Sequence, residues 1–486
     1  MKKSLLLLCA VFGIWTAVLP AQAQEAPFFS ETTQKLFTVS GEFLPATLVD
    51  FSVSRDGKSV AYSLLQGNKE WVVFNGKPGK QYDNVSLLTV SPDGKSVFYA
   101  AKNDNSDNEI LVMNGREERR AGRIITADNE TIPFFKNEPV YYTYSEARDT
   151  VALYIGAKKI IGGQFPFFDK NFTKMGYLLQ TRLKDGTAIQ SLVDDENGRK
   201  GKVYEMIYGT QFNDDGTISY LAKAKNGFFL VRDNREILSY PALPDENLDY
   251  WSAKISPDGK NMIFDMDIHK KTVTEESVHV NPWDFDSYHY VGKRKSERRD
   301  AMVGATNLML FSPDSKRTAY TVYRNGVRVA VDGKEGPTAF SDMENITFSP
   351  DSKHVAYIGM KSYAVNVSEN KLRFTYFRPR SLILDGKEIK TYGFDDVGDG
   401  GYVGGYLEFT PKGNGLVYTT YNNMTLEQKF VVEGKELKDY YTSDPQSTIS
   451  PFIFNEDGTK VGIFAMKTNP DTSLEEGWWI VEDLEQ

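Results

Sequence analysis

The side chains best able to do chemistry gather in one stretch of this sequence. Three of the four histidines, His269, His279 and His289, fall between Lys260 and Ser312, with Asp267, Trp283, Asp284, Asp286, Tyr288 and Tyr290 beside them. A basic run, Lys293-Arg294-Lys295-Ser296-Glu297-Arg298-Arg299, follows directly. Two histidines and an aspartate could ligate zinc, but no recognisable ligand spacing supports such a site, so no metal is expected. Aromatic rings beside carboxylates on a long connection are instead what a sugar or peptide site uses. Trp283, Asp284, Asp286, Tyr288, His289 and Tyr290 are therefore the candidate ligand-binding residues. The fourth histidine, His354, falls within a β-rich stretch and reads as an ordinary surface residue.

Other constellations are weaker. Asn103-Asp104-Asn105-Ser106-Asp107-Asn108-Glu109 offers alternating oxygens for calcium, and Asp395-Asp396-Val397-Gly398-Asp399-Gly400 partly mimics a calcium loop. The second has Val397 where an oxygen is needed and Tyr406 where a bidentate glutamate should stand, and both read as polar turns. The glycines Gly398, Gly400, Gly401, Gly404 and Gly405 contain no serine elbow and precede no helix that could cradle a phosphate. Their neighbours Tyr402 and Tyr406 mark a loop entering a strand. No catalytic residue and no cofactor is expected from these patterns.

The ends and the charge narrow the class. Met1-Lys2-Lys3, an apolar run from Leu5 to Leu19, and Ala21-Gln22-Ala23 have the form of a secretory signal peptide cleaved after Ala23. The run is shorter than the ~20 apolar residues of a membrane span, and none is expected after cleavage. Cys9, the single cysteine, lies inside that segment without the small residue a lipid-attachment site requires, so the mature chain would hold no thiol. Losing Lys2 and Lys3 leaves 55 of 57 basic residues against 66 acids and moves the net charge from -9 to -11. Such a balance argues against a nucleic-acid partner, which needs a concentrated positive face.

The elements that must position any site are announced by a repeat. Val90-Ser91-Pro92-Asp93-Gly94-Lys95, Ile255-Ser256-Pro257-Asp258-Gly259-Lys260, Phe311-Ser312-Pro313-Asp314-Ser315-Lys316 and Phe348-Ser349-Pro350-Asp351-Ser352-Lys353 share one turn between β-rich stretches. Looser copies at Ser54–Gly57, Asn213–Gly216, Thr410–Gly413 and Asn455–Gly458 bring the count to eight. Two degenerate stretches, Phe135–Tyr141 and Asn171–Tyr177, fill the remaining gap. Proline presets the turn, aspartate bonds to its backbone and glycine takes the positive-φ position. A second signal follows in most units: Asn75-Gly76, Asn114-Gly115, Asp332-Gly333, Asp385-Gly386 and Glu433-Gly434. Such pairs between β-rich runs mark hairpins.

Two hairpins make a four-stranded unit, and a lone sheet of ~40 residues must stack on neighbours to bury its faces. The fold class is therefore all-β, a propeller of four-stranded antiparallel blades with about 8–10 units, as one large ring or two smaller propellers. Residues 24–44 form a lead-in and 45–486 the repeats. Gly477-Trp478-Trp479-Ile480-Val481 is placed to close the last blade against the N-terminal strand near Leu36–Val39. Tyr62, Tyr99, Tyr320, Tyr357 and Tyr418 recur at one place in the unit, which marks them as packing between blades.

The Ser-Pro-Asp-Gly-Lys-x-Val-Ala-Tyr units resemble the WD40-like repeats of TolB-type propellers, over roughly residues 45 to 486. The chain lacks the mixed α/β domain that precedes the TolB propeller, so a TolB role does not carry over. The resemblance implies an exported bacterial propeller of the periplasm, or a secreted one. The expected function is non-catalytic binding or scaffolding in the cell envelope by a monomer, with a protein, peptide or glycan ligand. The alternative is a hydrolase or lyase with its site at the propeller axis.

Overall fold

The computed structural model describes residues 30 to 484. It leaves out 31, 40–45, 55–56, 104–108, 120–121, 127–130, 145–150, 185–187, 196–197, 242–245, 249–252, 270–284, 296–307, 324–325, 362–363, 368–373, 378, 393–401, 423–426, 438–439, 441–451 and 456. The signal-peptide segment, His279, Trp283 and Asp284 lie outside the described residues.

Every named element is a strand, and all strand pairs are antiparallel. The strands form ten blades in chain order: 47–82, 84–119, 123–161, 163–204, 206–241, 246–295, 309–335, 342–392, 402–436 and 452–483. The first strand is split in blades 3 and 6, and blade 8 carries an extra hairpin, Ala364–Val367 with Phe374–Phe377. The two degenerate sequence copies are the turns of blades 3 and 4.

Ten buried clusters decide how the blades stack. Each draws side chains from two consecutive blades, as Val72 and Tyr82 of blade 1 do with Tyr99 and Val112 of blade 2. Nine such clusters join blades 1 through 10 in sequence. A row of ten sheets would end there. The tenth cluster packs Met466 of blade 10 against Leu48, Tyr62, Leu64 and Trp71 of blade 1. The ten blades thus form one closed ring, above the usual 4–8, and the two-propeller arrangement is excluded.

Closure occurs where the sequence placed it. Gln34–Thr38 pairs with the last strand, with Gln34 opposite Trp479 and Phe37 opposite Gly477. Trp479 is fully buried, meets the Phe464 ring at a tilt and donates its indole N–H to the Ser30 carbonyl at 2.8 Å. Because the first strand of the chain completes the last sheet, opening the ring requires unpairing a strand as well as parting two faces.

The position-locked aromatics fill the seams. Tyr62, Tyr99, Tyr320, Tyr357 and Tyr418 are all buried. In several seams a fourth-strand tyrosine meets the second-strand aromatic of the next blade edge to face: Tyr82 with Tyr99, Tyr204 with Tyr220, Tyr392 with Tyr418. Burial raises the Tyr99, Tyr220 and Tyr357 phenols to about 12. Polar staples reinforce the aromatics: Glu70 accepts the Val85 N–H at 2.8 Å, Glu109 that of Ile124 at 2.6 Å and Gln190 that of Ile207 at 2.7 Å. Each staple satisfies a donor on the first strand of the next blade that would otherwise be buried without a partner.

Candidate functional site

The strand order gives the ring two unlike faces. The first-to-second connections of every blade and the third-to-fourth connections of blades 1 to 9 turn on one face. The second-to-third connections and the links between blades turn on the other.

The first of these, the turn face, is short and self-satisfied. Asn75-Gly76, Asn114-Gly115 and Asp385-Gly386 have both residues at positive φ, the geometry that matches strand twist in a two-residue hairpin. In the Ser-Pro-Asp turns the serine hydroxyl donates to the aspartate two residues on, at 2.8 Å from Ser91 and 2.6 Å from Ser256, Ser312 and Ser349. The lysine N–H that follows bonds the same carboxylate at 3.1 Å in all four turns. Hydrogen bonding to the serine, ahead of the lysine contacts, holds Asp93, Asp314 and Asp351 below the ordinary value of 3.8.

Successive turns also rest on each other. Gly259 of blade 6 lies against Asn213 and Ser219 of blade 5, and Gly413 of blade 9 against Ser349 and Asp351 of blade 8. Blades 7 and 8 carry serine in the left-handed position, Ser315 at φ 62° and Ser352 at φ 64°. Each hydroxyl takes the Asp N–H of the preceding turn, Asp258 at 3.0 Å and Asp314 at 3.1 Å. The bond between blades offsets the strain a non-glycine residue meets there. The repeat motif is thus an assembly device with its polar groups already committed.

The loop face differs in length and chemistry. Its connections run from the single residues Asp83, Gly162 and Glu205 between blades to the nineteen residues numbered 361–379, which carry the extra hairpin of blade 8. Nine large apolar side chains are exposed among the described residues. Seven of them, Val49, Leu65, Ile161, Phe165, Leu183, Val203 and Met206, stand in the loop-face half of their strands or just beyond it. The other two, Ile237 and Ile389, stand third from the turn on outer strands, and none stands within a tight turn. Five of the seven fall in blades 3 to 5, a concentration of the kind that marks interaction surfaces.

The first strands lie nearest the axis, where neighbouring blades approach each other through them. In blades 1, 2, 4, 5 and 8 this strand carries one extra residue against its partner, and in blade 9 two. These bulges break the inner edge of the sheet. Described titratable residues on the first strands, Asp50, Arg123, Lys254, Asp342, Glu344 and Glu408, are spread over blades 1, 3, 6, 8 and 9. Glu344 pairs with Arg380 at 3.0 Å, and burial holds its carboxyl above the ordinary 4.5. No group of three His, Cys, Asp or Glu residues that could hold a metal forms among the described residues.

Of the six sequence-derived candidates, Asp286, Tyr288, His289 and Tyr290 fall on the third strand of blade 6, Phe285–Val291, one strand in from the outer rim, while Trp283 and Asp284 lie outside the described residues. Asp286 stands opposite Ile268, Tyr288 opposite Met266 and His289 opposite Asp265. Tyr290 is committed to packing: its ring stacks on Phe264 at 4.9 Å and meets Tyr240 edge-on at 5.9 Å. Its ring is partly buried against the seam between blades 5 and 6. His354 precedes its strand rather than lying in it, with Nδ1 2.7 Å from the Asp385 carboxylate. Of the first calcium candidate, residues 104–108 lie outside the described residues, and Glu109 is the buried staple to Ile124. Residues 395–400 also lie outside them, while Gly404 and Gly405 fall in the first strand of blade 9, Tyr402–Phe409.

Sequence reasoning missed the first-strand bulge of blade 4. Gly163–Phe168 holds Phe165 at φ 48°, exposed, between Gln164 and Pro166. Pro166 inside a strand was the available signal, since proline there marks a bulge or an edge.

No family model matches the chain, and no curated protein does. Among solved structures the chain is similar to a eukaryotic initiation factor at 11% identity, over 72% of this chain and 88% of that one, with a TM-score of 0.39. The β-propeller domain of the trilobed protease from Pyrococcus furiosus is 10% identical, over 82% of this chain and 99% of that one, TM-score 0.30. Oligogalacturonate lyase from Vibrio parahaemolyticus is 12% identical, over 65% and 95%, TM-score 0.25. Likenesses at this level say nothing of activity or ligand.

Proposed function

We propose that this chain is an exported, non-catalytic binding or scaffold protein of the bacterial cell envelope that presents its loop face to a protein, peptide or glycan. The contrast between faces carries the reading. One face has its polar groups bonded within and between turns, while the other gathers the exposed apolar side chains and every long connection. Loops on a rigid scaffold are where binding residues concentrate. The TolB-type character of the repeats and the periplasmic, monomeric state belong to the same proposal, supported by the Ser-Pro-Asp-Gly-Lys units and by the pattern from Met1 to Ala23.

The test uses the mature chain, immobilised and offered to panels of oligosaccharides, peptides and envelope proteins. Leu183→Asp combined with Met206→Asp should abolish capture of whatever binds, while Lys316→Glu combined with Lys353→Glu leaves it intact. Capture lost only with the turn-face pair refutes the assignment. N-terminal sequencing of the periplasmic fraction should begin at Gln24, and an intact Met1 terminus in the cytoplasm refutes export.

A further inference from the structure

Resting on the binding reading above, we propose that the loop-face end of blades 3 and 4 is a glycan subsite, with Phe165 as the stacking platform and the Gln180 amide as the hydroxyl-binding group. The observation that carries it is a residue in the wrong place for stability. Four first strands hold a left-handed residue at the same point of the bulge: Leu87, Phe165, Gly209 and Asn345. Gly209 and Asn345 are residues that adopt this conformation readily. Leu87 is buried, so packing offsets its strain. Phe165 alone combines a bulky side chain, positive φ and 37% exposure. Strain held without compensating burial is a mark of function.

What surrounds the ring indicates the ligand. Phe165 leans on the buried Tyr142 at 5.5 Å, which fixes its position while leaving ring surface open. Beside it a relay crosses the seam: Tyr144 donates its hydroxyl to Gln164 Oε1 at 3.0 Å, and Gln164 Nε2 donates to Gln180 Oε1 at 2.9 Å. Gln164 is almost wholly buried and cannot turn away. The relay therefore fixes the Gln180 side chain with its carbonyl oxygen inward, leaving the two Nε2 donors of a half-buried amide with no partner among the described residues. A rigid ring face beside oriented amide donors suits a sugar, whose C–H face stacks while its hydroxyls accept.

An extended peptide fits less well. Strand addition needs a continuous main-chain edge, and the bulge between Gln164 and Phe167 interrupts that edge. The relay also explains why the subsite is at blade 4, since it is there that the exposed ring and the fixed amide lie on paired strands.

Isothermal titration of the full mature chain tests the subsite, with hexasaccharides of β-1,4-glucan, α-1,4-glucan, β-1,4-mannan and β-1,4-linked N-acetylglucosamine as probes. At least one should bind, Phe165→Ala should weaken it at least tenfold, and Gln180→Ala should do so severalfold. Phe165→Gly relieves the backbone strain, so it should weaken binding equally while folding about as well as wild type, which separates lost stacking from misfolding. Binding unchanged in both Phe165 variants overturns the subsite. So does the absence of binding by all four probes; if a peptide or protein is then captured through Leu183 and Met206, the loop-face reading stands and the glycan subsite alone has failed.

Discussion

The turn face and the loop face are made by the same strands and obey different constraints. On the turn face each residue type is fixed by a bond it must make, so Ser, Pro, Asp, Gly and Lys return blade after blade. On the loop face the strands have already been paired and the connections are under no common geometric demand. Their lengths range from one residue to nineteen, and most of the exposed apolar side chains lie on this side. A repeat protein can thus keep one face constant for assembly and vary the other, which separates stability from recognition within a single sheet.

Substitutions on the two faces should therefore behave differently. The largest effect is expected at Gly259, where φ is +69° and an added Cβ would collide with Asn213 and Ser219 of the preceding turn. Gly259→Val should cost ~2–4 kcal/mol in urea denaturation, combining backbone strain with overpacking. A cost below 0.5 kcal/mol, on the order of a neutral surface change, would remove the claim that the turns brace each other.

Acid should act on the turn face as well. Asp93, Asp314, Asp351 and Asp457 are held below 3.8 in the folded chain. The stability they add is present above about pH 4 and falls away as pH drops through their lowered values. Burial places Glu70 and Glu344 above 4.5, so their contribution has the opposite sign and fades as pH rises through their raised values. The melting temperature should drop between pH 5 and about pH 3, and less steeply in Asp351→Asn, where one depressed carboxyl is gone. Equal slopes would show that the turn carboxylates do not report on folding.

Smaller changes sharpen the contrast. Ser352→Ala keeps the left-handed strain and loses the bond to the Asp314 N–H, for ~1 kcal/mol of destabilisation. Phe165→Gly removes comparable strain on the loop face but also the ring's packing on Tyr142, so the two effects offset and stability should stay within about 1 kcal/mol of wild type. Leu183→Asp, on an exposed strand end, should stay within about 0.5 kcal/mol of wild type.

The constant face was the legible one. Ser-Pro-Asp-Gly turns and Asn-Gly hairpins could be read because each residue has a backbone reason to be where it is, and the recurring tyrosines followed from the same register. Ring size was not legible. Ten units are compatible with one ring or two until the seam between Met466 and Leu48 is seen, and that contact joins residues more than 400 positions apart. The site was harder still. The histidine-rich stretch drew notice because its residue types suit chemistry, and within it the Tyr290 ring also packs against a seam. Phe165 and Gln180 carry no motif, and what distinguishes them is a φ angle and a hydrogen bond across two blades. A one-residue bulge hides such a position, because it breaks the alternation by which strand faces are assigned.

The central claim is that the loop face is the working face. A photo-crosslinking residue placed at Leu183 or Met206, and separately at Lys316 or Lys353, tests it most directly in cells that export the protein. Adducts should form from the first two positions and not from the second two. Adducts formed from Lys316 and Lys353 alone would contradict the account.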